Sequence, residues 1–116
     1  MGKFELLRSS DGDTFCFQLK AGNGQVVLTS QRYTSRRGCI SGIGTVRKNA
    51  NSERRYQRKD GGQFSFNLKA ANGEIIGRSK SYTSALAREN GIRSVKHNAS
   101  VSRVEDLTWR RRKKKS

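Results

Sequence analysis

The chain has 116 residues, a formal net charge of +16, a sequence pI near 11 and a mean hydropathy of −0.87. No apolar run approaches the roughly 20 residues that a membrane-spanning helix needs, and the N-terminus reaches a charge too soon for a secretory signal. The two cysteines form no Cys-x-x-Cys motif and no disulfide framework, so we expect a reducing, cytoplasmic setting.

The first part of the chain predicts three β-strands. Residues 4–9 alternate weakly, residues 14–20 alternate strongly between apolar and polar side chains, and residues 25–30 are short and β-branched. Asp-Gly at 11–12 and Asn-Gly at 23–24 supply the positive φ that tight hairpins need. One apolar and one polar side per strand is typical of an antiparallel sheet that is covered on one face.

A helical period begins after the third strand, with Thr34 or Ser35 available as the N-cap. The inward positions at helical spacing are Cys39, Ile43, Val46 and Ala50. The opposite, solvent-facing side is basic and carries Arg36, Arg37, Arg47 and Lys48. Gly42 recurs later as Gly91, so we expect the helix backbone to lie close against another element at this position.

The remainder of the chain repeats this pattern at a constant offset of 49 residues. Residues 13–50 and 62–99 share 16 identities in 38 positions, which is too many for chance and indicates an internal duplication. Because a unit of about 50 residues is marginal alone, we expect the two units to share one core.

The second copy begins with Tyr56 in the place of Phe4. After its helix we expect a last extended stretch, residues 100–107, with Val101 and Val104 as candidate buried groups.

The repeated motif has the form Phe-x-Phe-x-Leu-Lys-Ala-x-Asn-Gly, at residues 15–24 and 64–73, with Tyr-Thr-Ser and Gly-Ile-x-x-Val further on in each copy. Over about residues 4–107 the chain resembles the YegP-like family of small bacterial tandem-repeat proteins. The resemblance implies an α+β fold of two tandem β(3)-α-β units. The strand after each helix crosses to the partner unit, which gives one shared antiparallel sheet with two helices packed on one face. It implies no biochemical activity and no catalytic residues.

These observations predict one pseudo-symmetric domain over residues 1–107, made of repeat 1 (about 4–50) and repeat 2 (about 54–107). Residues 108–116 are expected to be a basic, disordered tail, because a run of like charges repels itself. Two copies in one chain can satisfy each other, so we expect a monomer.

Groups that could support catalysis are few and scattered. The one histidine, His97, falls on the solvent-facing side of the second helix, and nothing in the spacing brings Cys16 or Cys39 to it. Glu105 and Asp106 are neighbours on a strand and therefore face opposite sides. Metal-ligating residues are too few for a zinc site. We therefore predict that the protein is not an enzyme and holds no metal and no cofactor.

Two functions remain open on the sequence. The first is an interaction module whose contact surface is a sheet edge or the exposed sheet face, with Gln18, Lys20, Asn67 and Lys69. The alternative is binding of nucleic acid or another polyanion without sequence selectivity, because the aromatic rings share the apolar side of the strands and are not available for stacking. The candidate polyanion-binding residues are Arg36, Arg37, Arg54, Arg55, Arg58, Lys59, Arg110, Arg111, Arg112, Lys113, Lys114 and Lys115.

Overall fold

The computed structural model of the protein describes residues 2–108. Its elements in chain order are β1 (Lys3–Arg8), β2 (Phe15–Lys20), β3 (Val26–Thr29), α1 (Arg36–Asn49), a 3₁₀ turn (Glu53–Arg55), β4 (Tyr56–Lys59), β5 (Ser65–Lys69), β6 (Ile75–Arg78), α2 (Ala85–Val101) and β7 (Arg103–Asp106). The strands form one sheet in the order β4-β5-β6-β3-β2-β1-β7. The expected α+β fold, with two repeats in one shared sheet and two helices, is confirmed.

One strand pairing departs from the expected antiparallel sheet. β7 runs parallel to β1, with Lys3 opposite Arg103 and Leu6 opposite Asp106, so the sheet is mixed. The reason is the crossover: a parallel neighbour requires a long connection over the face of the sheet, and α2 provides it. The other pairings are antiparallel.

Both helices begin at a serine that caps them. Ser35, rather than Thr34, accepts a hydrogen bond from the Gly38 N–H at 2.9 Å, and Ser84 accepts one from the Ala87 N–H at 3.0 Å. These bonds satisfy backbone donors that have no partner inside the helix. The pairing of Tyr56 with Leu68 repeats that of Phe4 with Leu19, so Tyr56 takes the place of Phe4 in the second copy.

The core lies between the sheet and the two helices. The largest side chains that are fully buried there are Phe4, Phe17, Phe66, Leu6, Leu19, Leu28, Leu68, Val46 and Val95. Both helices contact strands of both repeats, α1 reaching β2 and β6 and α2 reaching β2 and β5. The two repeats therefore share one core, as expected for units too small to bury enough surface alone.

Two aromatic trios repeat within this core. Phe17 meets Phe4 edge to face at 5.9 Å between ring centroids and stacks on Tyr33 at 6.3 Å. In the second copy Phe66 makes the same contacts with Tyr56 at 5.7 Å and Tyr82 at 6.5 Å. Such ring geometries add about 0.5–1.5 kcal/mol per pair beyond the area that they bury.

The recurring helix glycine makes room for a tyrosine. A Cβ added at Gly42 would overlap the hydroxyl end of Tyr33 and would lie 3.1 Å from Cε2 of Phe17. A Cβ at Gly91 would likewise overlap the end of Tyr82. The expected close approach of the helix backbone to another element is therefore confirmed, and that element is the tyrosine that precedes each helix.

The two repeats meet at the centre of the sheet, where β3 lies beside β6. Within residues 2–108 these strands pair at one register position, Thr29 opposite Arg78. On the helix side, the Leu28 side chain occupies the space that a Cβ at Gly77 would need, with its Cγ 2.6 Å from that position. Gly77 is the repeat counterpart of Leu28, so a large and a small residue fit together across the pseudo-twofold axis.

Two expectations near the ends of the helices are wrong. α2 continues through Val101, so the extended stretch does not begin at residue 100, and Val101 and Val104 are 49% and 41% exposed. Val104 lies opposite Phe4, but β7 is the edge strand and nothing further covers it within the described chain.

Arg47 is also not a solvent-facing residue of α1. It is half-buried, its guanidinium lies 5.0 Å from the centroid of the Phe4 ring, and it donates to the carbonyl oxygens of Ala99 and Ser102, each at 2.8 Å. These carbonyls lie at the C-terminal end of α2, where a positive charge stabilises the helix. Arg47 therefore ties the helix of the first repeat to that of the second.

The helix glycines give a matched stability test within α1. Gly42→Ala should lower the free energy of unfolding by about 1–3 kcal/mol, because the new methyl group overlaps Tyr33. Gly44→Ala should raise it by up to about 1 kcal/mol, because a Cβ there meets nothing within 4 Å and alanine is the better helix former. Urea unfolding followed by circular dichroism measures both. Equal effects of the same sign would contradict the close packing of Tyr33 on Gly42.

Candidate functional site: the open face of the sheet

The two cysteines, which are the candidate nucleophiles, have poorly activated thiols, and the one histidine lies on the surface. Cys39 is buried in the core, and burial raises the pKa of its thiol to about 12. Burial also raises the pKa of the half-buried Cys16 thiol. His97 is exposed on α2, as expected from its position in the sequence. Within residues 2–108 no group of three or more His, Cys, Asp or Glu residues is arranged to hold a metal ion.

The predicted basic residues do not form one patch. Arg36 makes an ion pair with Asp106, and Arg55 donates to the Asn49 side chain at 3.0 Å. Arg37 is exposed in the first turn of α1, and Arg54 is exposed in the 3₁₀ turn that follows this helix, which is about 20 Å long. Lys59 is exposed at the end of β4. Arg110, Arg111, Arg112, Lys113, Lys114 and Lys115 lie outside the described residues.

Arg58 belongs to an ion-pair network that joins β4, the 3₁₀ turn and α2. It donates to both carboxylate oxygens of Glu89 at 2.7 Å and contacts Glu53 at 2.6 Å. Glu53 in turn binds Lys96 at 2.6 Å, and Glu89 binds Arg88 at 3.1 Å. The hydrogen bonds from Arg58 hold the pKa of Glu89 at about 2, against a partial desolvation that would raise it. The charge of Arg58 is thus already balanced inside the protein.

The sheet face away from the helices is uncovered, because no element within residues 2–108 packs on it. One row of side chains crosses all seven strands in register: Glu105, Glu5, Gln18, Thr29, Arg78, Asn67 and Gln57. Every member of the row can form hydrogen bonds, and none is aromatic. We call this surface the open face.

The two halves of the open face differ in charge. In the first half, Lys20 contacts Glu5 at 3.0 Å, and Lys3 contacts Glu105 at 2.7 Å. In the second half, Gln57 takes the place of Glu5 and accepts a hydrogen bond from Asn67 at 3.0 Å. The cations of that half take part in no ion pair within residues 2–108; they are Lys59, Lys69 and Arg78. The open face is therefore balanced on one side and positive on the other.

A shallow cavity of about 460 Å³ opens on this face beside the pseudo-twofold axis. It is lined by Gln25, Val26, Thr29, Arg78, Ser79 and Lys80. The start of β3 and the end of β6 border it because these strands are antiparallel neighbours. Sequence reasoning did not find this cavity, since it depends on pairing between the two repeats. The one available signal is that Thr29 and Arg78 are repeat counterparts.

Comparison with known proteins agrees with the tandem architecture. A match to the family described as "Domain of unknown function (DUF1508)" covers residues 10–57 and again residues 60–106. The chain belongs to the DUF1508 family. The predicted YegP-like resemblance is confirmed by the similarity to YegP of Escherichia coli in sequence and in structure. The description of the family assigns no function.

Among curated relatives, the UPF0339 protein YegP of Escherichia coli is 52% identical over 58 residues, which is 50% of this chain and 52% of that one. In these alignments the chain spans about half the length of the curated relatives it matches. A UPF0339 protein of Treponema denticola is 51% identical over 49 residues, and these make up 83% of that protein but 42% of this one. One copy of the repeat therefore accounts for most of the Treponema relative.

Two solved structures match almost the whole chain. The solution NMR structure of a UPF0339 protein from Shewanella oneidensis has a TM-score of 0.87 and 46% identity, covering 93% of this chain and 92% of that one. That of yegP from E. coli, titled a protein of unknown function, has a TM-score of 0.86 and 51% identity, covering 92% and 93%. None of the helices in residues 2–108 is long and apolar enough to cross a membrane.

The ion pairs of Glu89 give a test by pH. Because its pKa is about 2 in the folded protein and 4.5 ordinarily, its stabilising effect is complete above pH 4.5 and is lost as the pH falls towards 2. The stability difference between the wild type and Glu89→Gln should therefore shrink over that range in urea unfolding. Glu74→Gln, at an exposed carboxylate without an ion pair in residues 2–108, is the control. A difference for Glu89→Gln that stays constant with pH would contradict the assigned network.

Proposed function

We propose that the protein is a non-catalytic binding module that uses the open face of its sheet as the contact surface. The observation that carries this proposal is the row of seven hydrogen-bonding side chains, in register across every strand. The sheet buries its apolar side under two helices, so the hydrophobic core is complete without any cover on the polar side. Within the row, Glu5 and Asn67 are buried, Gln18, Thr29 and Glu105 are half-buried, and Gln57 and Arg78 are exposed. Polar side chains held in register on a rigid sheet are suited to recognition, and the more exposed members would make the contact.

The chemistry of the remaining side chains supports a role without catalysis. Burial raises the pKa of both thiols, so at neutral pH neither supplies much thiolate. A histidine base would have to be His97, which is exposed on the outer side of α2, whereas Cys39 faces the core. The proposal includes a cytoplasmic setting, in keeping with two unpaired thiols, and a monomer in which residues 1–107 form one domain.

The contact surface can be tested with two variants of equal charge change. The first is Lys59→Glu with Lys69→Glu on the open face, and the second is Lys48→Glu with Arg54→Glu on the helix side. Each is used as bait in its host extract, with and without nuclease, and the recovered partners are compared by mass spectrometry. We expect the open-face variant to lose partners that the helix-side variant retains. Identical recovery by both would show that the open face is not the contact surface.

The second candidate function is binding of nucleic acid through its phosphate backbone. A specific observation favours it: the cations Lys59, Lys69 and Arg78 lie on one half of the open face without carboxylate partners in residues 2–108. The exposed Arg37 and Arg54 and the six consecutive cations at 110–115 add to the same field. With no aromatic side chain in the seven-strand row, such binding would have little sequence selectivity.

A salt series distinguishes this candidate from a partner-specific module. Neutralising several phosphates releases counterions, so affinity for single-stranded DNA should fall steeply between low and moderate salt. Fluorescence anisotropy measures this affinity for the full chain and for a chain ending at residue 109. The quantity compared is the slope of the logarithm of the affinity against the logarithm of the salt concentration. The candidate predicts a clearly smaller slope for the shortened chain. Weak binding with the same shallow slope for both chains would remove it.

A further inference from the structure

The cavity at the pseudo-twofold axis gathers polar groups that the fold itself does not use. Within residues 2–108, no hydrogen bond or ion pair engages the guanidinium of Arg78, the hydroxyl of Thr29 or the side-chain amide of Gln25. The Lys80 ammonium lies 5.4 Å from the centroid of the Tyr82 ring, a contact that leaves its donors available. These four side chains line one cavity, and none of its lining residues is acidic.

The wall of the cavity is held in place by the backbone. Ser79 accepts a hydrogen bond from the Phe66 N–H at 2.9 Å and donates to the carbonyl oxygen of Lys80 at 2.7 Å. Thr29 and Arg78 are the residue pair that joins the two repeats. The cationic groups therefore flank Ser79, whose backbone and side chain are hydrogen-bonded to Phe66 of β5, which lowers the entropic cost of ordering them around a ligand.

The duplication supplies an internal comparison. The same scaffold occurs twice, rotated about the axis, so each cavity residue has a counterpart at an offset of 49. Thr29 and Arg78 are counterparts of each other, but Gln25 corresponds to Glu74 and Lys80 corresponds to Gln31. One side of the axis thus has the Lys80 ammonium group and the neutral amide of Gln25, whereas the other side has the Gln31 amide and the Glu74 carboxylate at these two positions. The pair of cations beside a neutral amide exists on one side alone.

We propose that this cavity binds the phosphate group of a small phosphorylated molecule. Arg78 presents a planar fork of N–H donors that matches phosphate oxygens, Lys80 adds a second positive charge, and Thr29 and Gln25 add neutral donors. A volume of about 460 Å³ is more than a phosphate ion needs and falls in the range of small-molecule sites. Val26 gives the rest of the ligand an apolar contact.

This inference rests on the proposed use of the open face and names the chemistry of one ligand for it. It differs from general polyanion binding, because it depends on four side chains at one position rather than on total charge. Gln25→Glu and Lys48→Gln together separate the two ideas, because each lowers the net charge by one and only the first changes a residue of the cavity.

The test is a titration of the isotope-labelled full chain followed by amide chemical shifts. The probes are ribose 5-phosphate, ribose as the uncharged control, inorganic phosphate, and oligo(dT) of about 12 nucleotides. We expect saturable shifts centred on Gln25, Thr29 and Lys80 with the sugar phosphate and with phosphate, and none with ribose. Arg78→Gln, which removes a charged hydrogen bond, and Gln25→Glu, which places a negative charge against the phosphate, should each raise the dissociation constant by about tenfold or more. Lys48→Gln, which removes an exposed lysine of α1 outside the cavity, should leave it unchanged.

Each other outcome overturns the proposal. Binding of oligo(dT) alone, weakened equally by Lys48→Gln and Arg78→Gln, would assign the affinity to the general positive field. Shifts with ribose equal to those with ribose 5-phosphate would remove the phosphate from recognition. If no probe shifts these amides while the Lys59 and Lys69 variant still loses partners from its host extract, the cavity site is wrong and the open-face module stands.

Discussion

The fit of Leu28 into the space beside Gly77 is the contact on which the two repeats depend. The sheet is continuous across its centre through one pair, Thr29 and Arg78, within the described chain. One pair of backbone positions is too little to join the two halves by itself. The apolar side chain of Leu28, fully buried against a residue without a side chain, brings the strands together and closes the core beneath them.

The open face follows from this closure. When β3 and β6 are adjacent, two separate three-stranded meanders become one surface, and their polar sides line up in a single row. The same junction places the counterparts Thr29 and Arg78 together and forms the cavity beside them. Differences between the two repeats then set the charge of each half. In the first half, carboxylates balance the lysines, whereas the second half has amides in place of those carboxylates and stays positive.

Much of this arrangement could be predicted because it is local or repeated. Alternation over residues 14–20 and its copy fixes which rings are buried, and Gly42 with its copy marks the close approach of a helix. What escaped prediction depends on contacts between the repeats. Nothing near Arg47 in sequence indicates that it reaches the end of α2, and nothing near Val104 indicates that its strand lies parallel at an edge. The cavity at the axis escaped for the same reason, since its two walls are about 50 residues apart.

The most direct measurement of this account is native-state hydrogen exchange of strand amides in β2 and β5, in the wild type and in Gly77→Val. A valine at this position displaces Leu28 from the axis. If the repeats are one cooperative unit, the slowest amides of both strands share one opening free energy, and the substitution lowers it by the same amount in each. Faster exchange confined to β5, with β2 unchanged, would mean that the repeats are stable separately and would contradict the shared core.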